Sequence, residues 1–265
     1  MKAPLALLCC LLAASLAARK PPALPSGDQV VERVNARDEG RQLSRRMTMI
    51  LTDRNGKSRV RETLGLRLYL ADQKQTAIYF EAPGNLRGTA FLTYDYRAAG
   101  RDDDRWLYLP ALRKVRRISA TDRGDYFLGT DMTYEDIKLE TRISDDYRYR
   151  TLRAGRVDDH DCLWLEAVPK SESLARELGY SRVESCIDSA IWIAREARFW
   201  DLAGNPLKTA RTTDIRQVQD IWTPHRIIVE NHKTGHRTEF RFSDIDYQTP
   251  IDPTLLQPNA LHRGP

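Results

Sequence analysis

The longest unbroken alternation in the chain constrains its fold most. From Arg59 to Leu70 the side chains run in strict period two. Val60, Glu62, Leu64, Leu66, Leu68 and Leu70 share one side, and Arg59, Arg61, Thr63, Gly65, Arg67 and Tyr69 share the other. That period belongs to a β-strand, and one face is expected to be dry and the other wet. Gly65 marks a bulge or a bend. Before it stand Met47, Met49 and Leu51 on one face, then Asp53-Arg54-Asn55-Gly56, whose Asn-Gly pair supports the positive φ angles of a tight hairpin. Further strands are expected at 76–81, 88–96, 105–109, 113–119, 147–152, 162–168, 182–187, 190–200, 209–217, 225–230 and 237–246. Turn chemistry separates them, as at Ala82-Pro83-Gly84, Ala203-Gly204-Asn205-Pro206 and Lys233-Thr234-Gly235. Ten to thirteen strands in one meander must curl to bury an apolar face. The expected fold is therefore mainly β, a strongly curved, unclosed antiparallel barrel.

Three segments depart from the alternation. Residues 28–36 suit a short helix capped by Ser26 or Asp28, with Val30, Val31 and Val34 on one face. Residues 171–178 suit one or two helical turns capped by Ser171. The link 120–136 carries Phe127, Leu128 and Met132; apolar residues in a loop need something to cover, so this segment is expected to plug or lid the barrel.

The N-terminus reads as a secretory signal peptide over 1–17. Lys2 is followed by an apolar run from Leu5 to Leu16 and a small-residue site ending at Ala17. The run is too short for a stable membrane anchor. Cys9 and Cys10 lie inside it, not just after a cleavage site, which argues against acylation. Residues 18–27 are Pro-rich and read as a linker, leaving one domain over 28–265. The expected location is the periplasm, as a soluble monomer.

Export leaves Cys162 and Cys186, and an oxidising compartment makes a disulfide the expectation. If 162–168 and 180–187 form an antiparallel hairpin, setting Cys162 opposite Cys186 pairs Trp164 with Glu184 and Val168 with Tyr180. Directly opposed residues lie within disulfide reach.

Of the 265 residues, 41% are hydrophobic and 30% charged, enough apolar material for a core and too much for disorder. The net charge of +5 is spread along the chain rather than concentrated as in a nucleic-acid binder. No nucleophile elbow, phosphate loop or dinucleotide fingerprint is present, so no enzyme, cofactor or metal site is expected. His232 and His236 flank a turn and read as solvated, as do the Asp102-Asp103-Asp104, Asp145-Asp146 and Asp158-Asp159 tips.

Two features suggest binding. Arg113, Lys114, Arg116 and Arg117 place four cations in five residues, suited to phospholipid head groups or an acidic partner, or to a charged edge strand that resists aggregation. The second feature is aromatic. Trp106 and Tyr108 share a face opposite Leu107 and Leu109. Phe91, Phe127, Met132, Tyr134, Trp164 and Trp192 complete a set that either packs a core or lines a cavity for a lipid or acyl chain.

The run Trp106-Leu107-Tyr108-Leu109-Pro110-Ala111-Leu112-Arg113-Lys114-Val115-Arg116-Arg117-Ile118 resembles a block of the outer-membrane lipoprotein-sorting family, relatives of the lipoprotein carrier LolA. So do Ala82-Pro83 with Arg87-Gly88-Thr89-Ala90, the run from Phe127-Leu128-Gly129-Thr130-Asp131-Met132 to Tyr134-Glu135-Asp136, and Asp201, Gly204 and Lys208. Trp222-Thr223-Pro224 and Thr234-Gly235-His236-Arg237-Thr238 match as well. The resemblance covers roughly 28–250. It implies a LolA-like unclosed barrel of about eleven strands with helices and loops as a lid. It also implies a part in carrying lipoproteins or other lipids between inner and outer membrane. The implied partners are a lipid or acylated lipoprotein, an RND-type transporter, or an outer-membrane acceptor. Docking on such a pump without cargo is the alternative.

Overall fold

The computed structural model describes residues 23–96, 101–138 and 146–265. The signal peptide reading over 1–17, with most of the linker and Asp145, lies outside them. The chain opens with α1 (Gly27–Asn35). Ser26 caps it by accepting from the Gln29 amide, while the Gln29 side chain accepts from the Ser26 amide, which satisfies two donors that the first turn would otherwise leave open.

Thirteen strands follow: β1 (Gln42–Thr52), β2 (Ser58–Tyr69), β3 (Gln73–Ala82), β4 (Ala90–Tyr96), β5 (Asp104–Leu109), β6 (Lys114–Ile118), β7 (Tyr147–Val157), β8 (His160–Pro169), β9 (Arg182–Asp188), β10 (Ala194–Trp200), β11 (Pro206–Val218), β12 (Ile221–Asn231) and β13 (Arg237–Asp246). A second helix, α2 (Glu172–Leu178), is capped by Ser171 as expected. All thirteen strands form one antiparallel sheet in the order β6-β5-β4-β3-β2-β1-β13-β12-β11-β10-β9-β8-β7. Two meanders, β1–β6 and β7–β13, are joined by the β1–β13 ladder, and the end strands β6 and β7 do not pair, so the barrel is unclosed. Among the described residues it has thirteen strands, where the family resemblance implied about eleven. The expected strand at 190–200 is shorter, because Asp188 gathers 189–193 into a turn by accepting from the amides of Ala190 and Ile191.

Curvature follows from what shares a core. Phe91 of β4 and Ile227 of β12 belong to one buried cluster. They stand five strands apart, roughly 24 Å on a flat sheet. The sheet therefore wraps, and residues 120–138, which follow β6, fill the space it encloses.

The alternation at 59–70 has an unexpected outcome. The ladder places Thr63 beside Met47 and Arg61 beside Met49, so the polar set of β2 faces inward. Thr63 is fully buried and Arg67 nearly so. The leucine set faces outward, yet it too is covered: Leu66, with Ala77, Tyr79 and Leu92, packs against Leu256 and Leu261 of the C-terminal segment. Neither face is simply wet, because residues 251–262 form an outer patch. Tyr79 and Tyr94 hold that patch by donating their hydroxyls to the carbonyls of Leu255 and Leu256.

Cys162 and Cys186 form a disulfide with Cα atoms 5.5 Å apart. The register differs from the expected one by two residues: Trp164 stands opposite Cys186, and Cys162 opposite Asp188. A shift of two keeps both cysteines on the same face, so the bond spans a diagonal.

Candidate functional site: a lid clipped over the inner apolar face

Met47, Met49, Leu51, Ile78, Phe80, Phe91, Ile227, Val229, Phe240 and Phe242 make a continuous apolar floor on the inner face. Among the described residues no second sheet covers it. Residues 120–138 do, through Phe127, Met132 and Ile137, all buried. Phe127 sits at the centre, its ring centroid 5.2 Å from Phe91, 5.6 Å from Tyr134 and 6.2 Å from Phe80.

The lid is a compact reversal. The Phe127 amide donates to the Met132 carbonyl at 2.7 Å, and a single bridge links Tyr126 with Thr133. Leu128 and Gly129 both take left-handed backbone angles (φ 47° and 80°), which turns the chain sharply at the cost of strain at the non-glycine position. At the entrance Gly124 lies so close to the backbone of Glu177 and Leu178 that a Cβ would overlap it, and Arg123 pairs with Asp146 and Glu177.

Polar groups, not further apolar ones, clip the lid to the sheet. Lys208 of β11 is buried and donates to the Asp131 carbonyl at 2.8 Å and the Asp136 carboxylate at 2.6 Å. The rings of Tyr126, Tyr180 and Phe199 surround its ammonium at 5.6, 5.0 and 4.9 Å. The Tyr180 hydroxyl donates to the same Asp136 oxygen at 2.6 Å. Burial, with the charge of Asp136, raises the Tyr180 phenol well above its ordinary value, so it stays a donor. On the other side of the lid, Asp131 accepts from Thr238 at 2.6 Å and bonds a ring nitrogen of His236 at 2.6 Å, and its amide donates to Thr238. Arg61 donates to the Leu128 carbonyl at 2.6 Å.

These polar residues were not among the site residues expected from the sequence. Their signal lay in the family blocks: Asp131 and Asp136, Lys208, and Thr234 to Thr238 come from three separate matched stretches, and the structure brings them together. His236 in particular is not the solvated turn residue its flanks suggested.

The expected aromatic set divides. Phe91 of the floor meets Phe127, Met132 and Tyr134 of the lid. Trp106 and Tyr108 lie on the outer face against the C-terminal segment, with Trp106 stacked edge-on to Tyr94 at 4.8 Å. Trp164 is also outward, beside the disulfide and between the guanidiniums of Arg153 and Arg198. Trp192 packs under α1 with Val30, Val31 and Val34. At the barrel end away from Lys208, an open pocket of about 50 Å³ is lined by Arg37, Arg45, Arg67, Ile227 and Phe242 among others. Ile227 and Phe242 are shared with the apolar floor, so this pocket adjoins it.

A curved unclosed sheet with a lid over its inner face is the LolA-like architecture, and solved structures bear that out. A LolA superfamily protein from Nitrosomonas europaea shares the fold at 19% identity and a TM-score of 0.66, over 88% of this chain and 98% of its own. A domain from Vibrio parahaemolyticus, provisionally described as an outer membrane lipoprotein-sorting protein domain, is 31% identical with a TM-score of 0.81, over 89% of this chain and 98% of its own. A DUF1329 family protein from Desulfovibrio piger aligns with a TM-score of 0.81 at 26% identity, over 89% and 97%. A family model described as uncharacterized protein-like matches residues 72–263, and no curated protein matches. The chain belongs to the outer-membrane lipoprotein-sorting family of the Vibrio domain, and it shares its fold with the LolA superfamily protein.

Proposed function

We propose that this protein is a periplasmic carrier that shelters the acyl chains of a lipid or an acylated lipoprotein beneath its lid, between inner and outer membrane. One observation carries the reading. The apolar floor is covered by a short segment held through polar contacts, not by a second sheet. Phe127, Met132 and Tyr134 occupy the space that acyl chains would take. When the lid lifts, Asp131, Asp136, His236 and Lys208 exchange their mutual bonds for water, while cargo replaces the apolar side chains on the floor. The polar groups therefore have a low-cost alternative partner, and the floor does not. The predicted signal peptide and the disulfide both suit an oxidising compartment outside the cytoplasm.

Native mass spectrometry of protein released from the periplasm tests this. Bound lipid is expected at one or a few molecules per chain. Displacement by added acyl-chain detergent is also expected. Protein that carries no lipid and gains none from vesicles would sink the reading and leave the alternative, an accessory of an RND-type pump with a packed interior.

A further inference from the structure

The recognisable block from Trp106 to Ile118 touches the cluster of lid and floor through Leu107 and Ile118, yet most of its second half is laid out on the surface. Trp106 and Leu107 are partly buried in clusters, but β6 is exposed at Lys114, Val115, Arg116 and Arg117. It is an end strand of the sheet, paired only with β5. The hairpin between them turns through Pro110-Ala111-Leu112, with Arg113 in the left-handed region (φ 49°). Leu112 and Val115 are 52% and 37% exposed.

Charge bookkeeping separates this patch from an ordinary solvated edge. Arg117 pairs with Asp104. Arg113, Lys114 and Arg116 have no acidic partner among the described residues. The acidic tip Asp102-Asp103-Asp104 stands at the opposite end of the hairpin, since Leu109 pairs with Lys114 and Arg105 with Ile118. Next to the turn, Gly88 packs near Pro110, which brings the exposed Arg87 of the neighbouring loop to the same end. An edge strand needs only charge to resist pairing. It does not need two exposed aliphatic side chains interleaved with the charges.

We propose that the β5–β6 hairpin docks on an anionic lipid bilayer. Docking is edge-on, since Val115 pairs with outer Tyr108 while Lys114 and Arg116 pair on the other face with Leu109 and Leu107. Arg113, Lys114, Arg116 and Arg87 reach phosphate-bearing head groups around the edge and turn, and Leu112 and Val115 enter the interfacial layer. An acidic protein would be matched by the cations but would leave the two aliphatic residues unexplained. The inference does not depend on what the interior carries.

Flotation with vesicles tests it, using the mature protein. Binding is expected to vesicles containing phosphatidylglycerol and not to pure phosphatidylcholine, and it should weaken with salt. Each cation near an anionic surface contributes about fivefold in partitioning, so the triple variant Arg113→Gln, Lys114→Gln, Arg116→Gln should lose roughly a hundredfold. Leu112→Ser with Val115→Ser should also weaken binding at unchanged charge. All five positions are solvent-facing, and an unchanged melting temperature confirms intact variants. Equal binding to both vesicle types, or a triple variant that binds like the parent, overturns the proposal. So does retention on immobilised poly-glutamate without any vesicle binding, which would assign the patch to an acidic protein.

Discussion

Lys208 shows how a single charge can be worth burying. Its ammonium has no exposure, and it is satisfied by one carboxylate, one carbonyl and three aromatic faces. Lys208→Met keeps the length of the side chain but leaves Asp136 buried without its cation. Removing one partner of a buried pair costs about 3–5 kcal/mol, and urea denaturation should show a loss of that order. Adding Asp136→Asn should return part of it, because the amide can still accept from Thr133 and Tyr180. On the outer face Glu239 is the mirror case. Burial pushes its carboxyl up, but hydrogen bonds from Arg226, Arg241 and Arg237 outweigh that and hold it at about 2, against an ordinary 4.5. A depressed folded value means that its contribution to stability is complete above pH 4.5 and is lost as pH falls towards 2. Glu239→Gln should therefore be less stable than the parent at neutral pH, and the gap should close over that window when melting is followed against pH.

The elements differ in how far the sequence reveals them. Strands with a polar side and an apolar side, such as β1 and β2, are legible because alternation reports a strand whichever way it faces. Which side is inside is not legible, since that depends on what covers each face. The C-terminal segment, with Leu256 and Leu261, has no periodicity to announce it, and it turned the leucine side of β2 into a second buried surface. The polar clip was hidden for a related reason: Asp131, Asp136 and His236 sit in loops, where charges are ordinarily solvated, and only the folded chain sets Lys208 beside them. The disulfide was found by spacing although its register was not, because a two-residue slip preserves the face. Reducing it frees a loop whose ends are 24 residues apart, and a Cys186→Ser variant should lose about 3–4 kcal/mol by chemical denaturation. The seat of α1 rests on one close approach. A Cβ at Gly27 would overlap the Tyr149 backbone, so Gly27→Ala should push the helix off β7 and expose Trp192, seen as a red shift in tryptophan emission.

At the scale of the whole molecule, the sheet and its lid are held by different physics, and this predicts how the protein opens. Every inner strand of the sheet is bonded to neighbours on both sides by a continuous ladder. The lid's backbone hydrogen bonds are mostly internal: Phe127 to Met132, Tyr134 to Asp125, Glu135 to Arg123. It has no backbone-to-backbone bond to the sheet among the described residues; an aromatic plug and a few polar clips, each involving a side chain, make the contact. Lifting it therefore breaks no strand pairing. Segments tied in this way open below the global unfolding free energy. Hydrogen exchange should find the amides of Asp131, Phe127 and Tyr134 exchanging well before those of Met49, Phe240 and Val229, although all lie in one core. Lys208→Met should accelerate the first group and leave the ranking of the second intact. Acyl-chain ligand should act in the same direction on the lid while protecting the floor, because it takes the place of Phe127 against Phe91 and Phe80. Lid and floor amides exchanging together, at a single rate set by global unfolding, would mean that the plug is a permanent part of the core and that no cargo enters from that side.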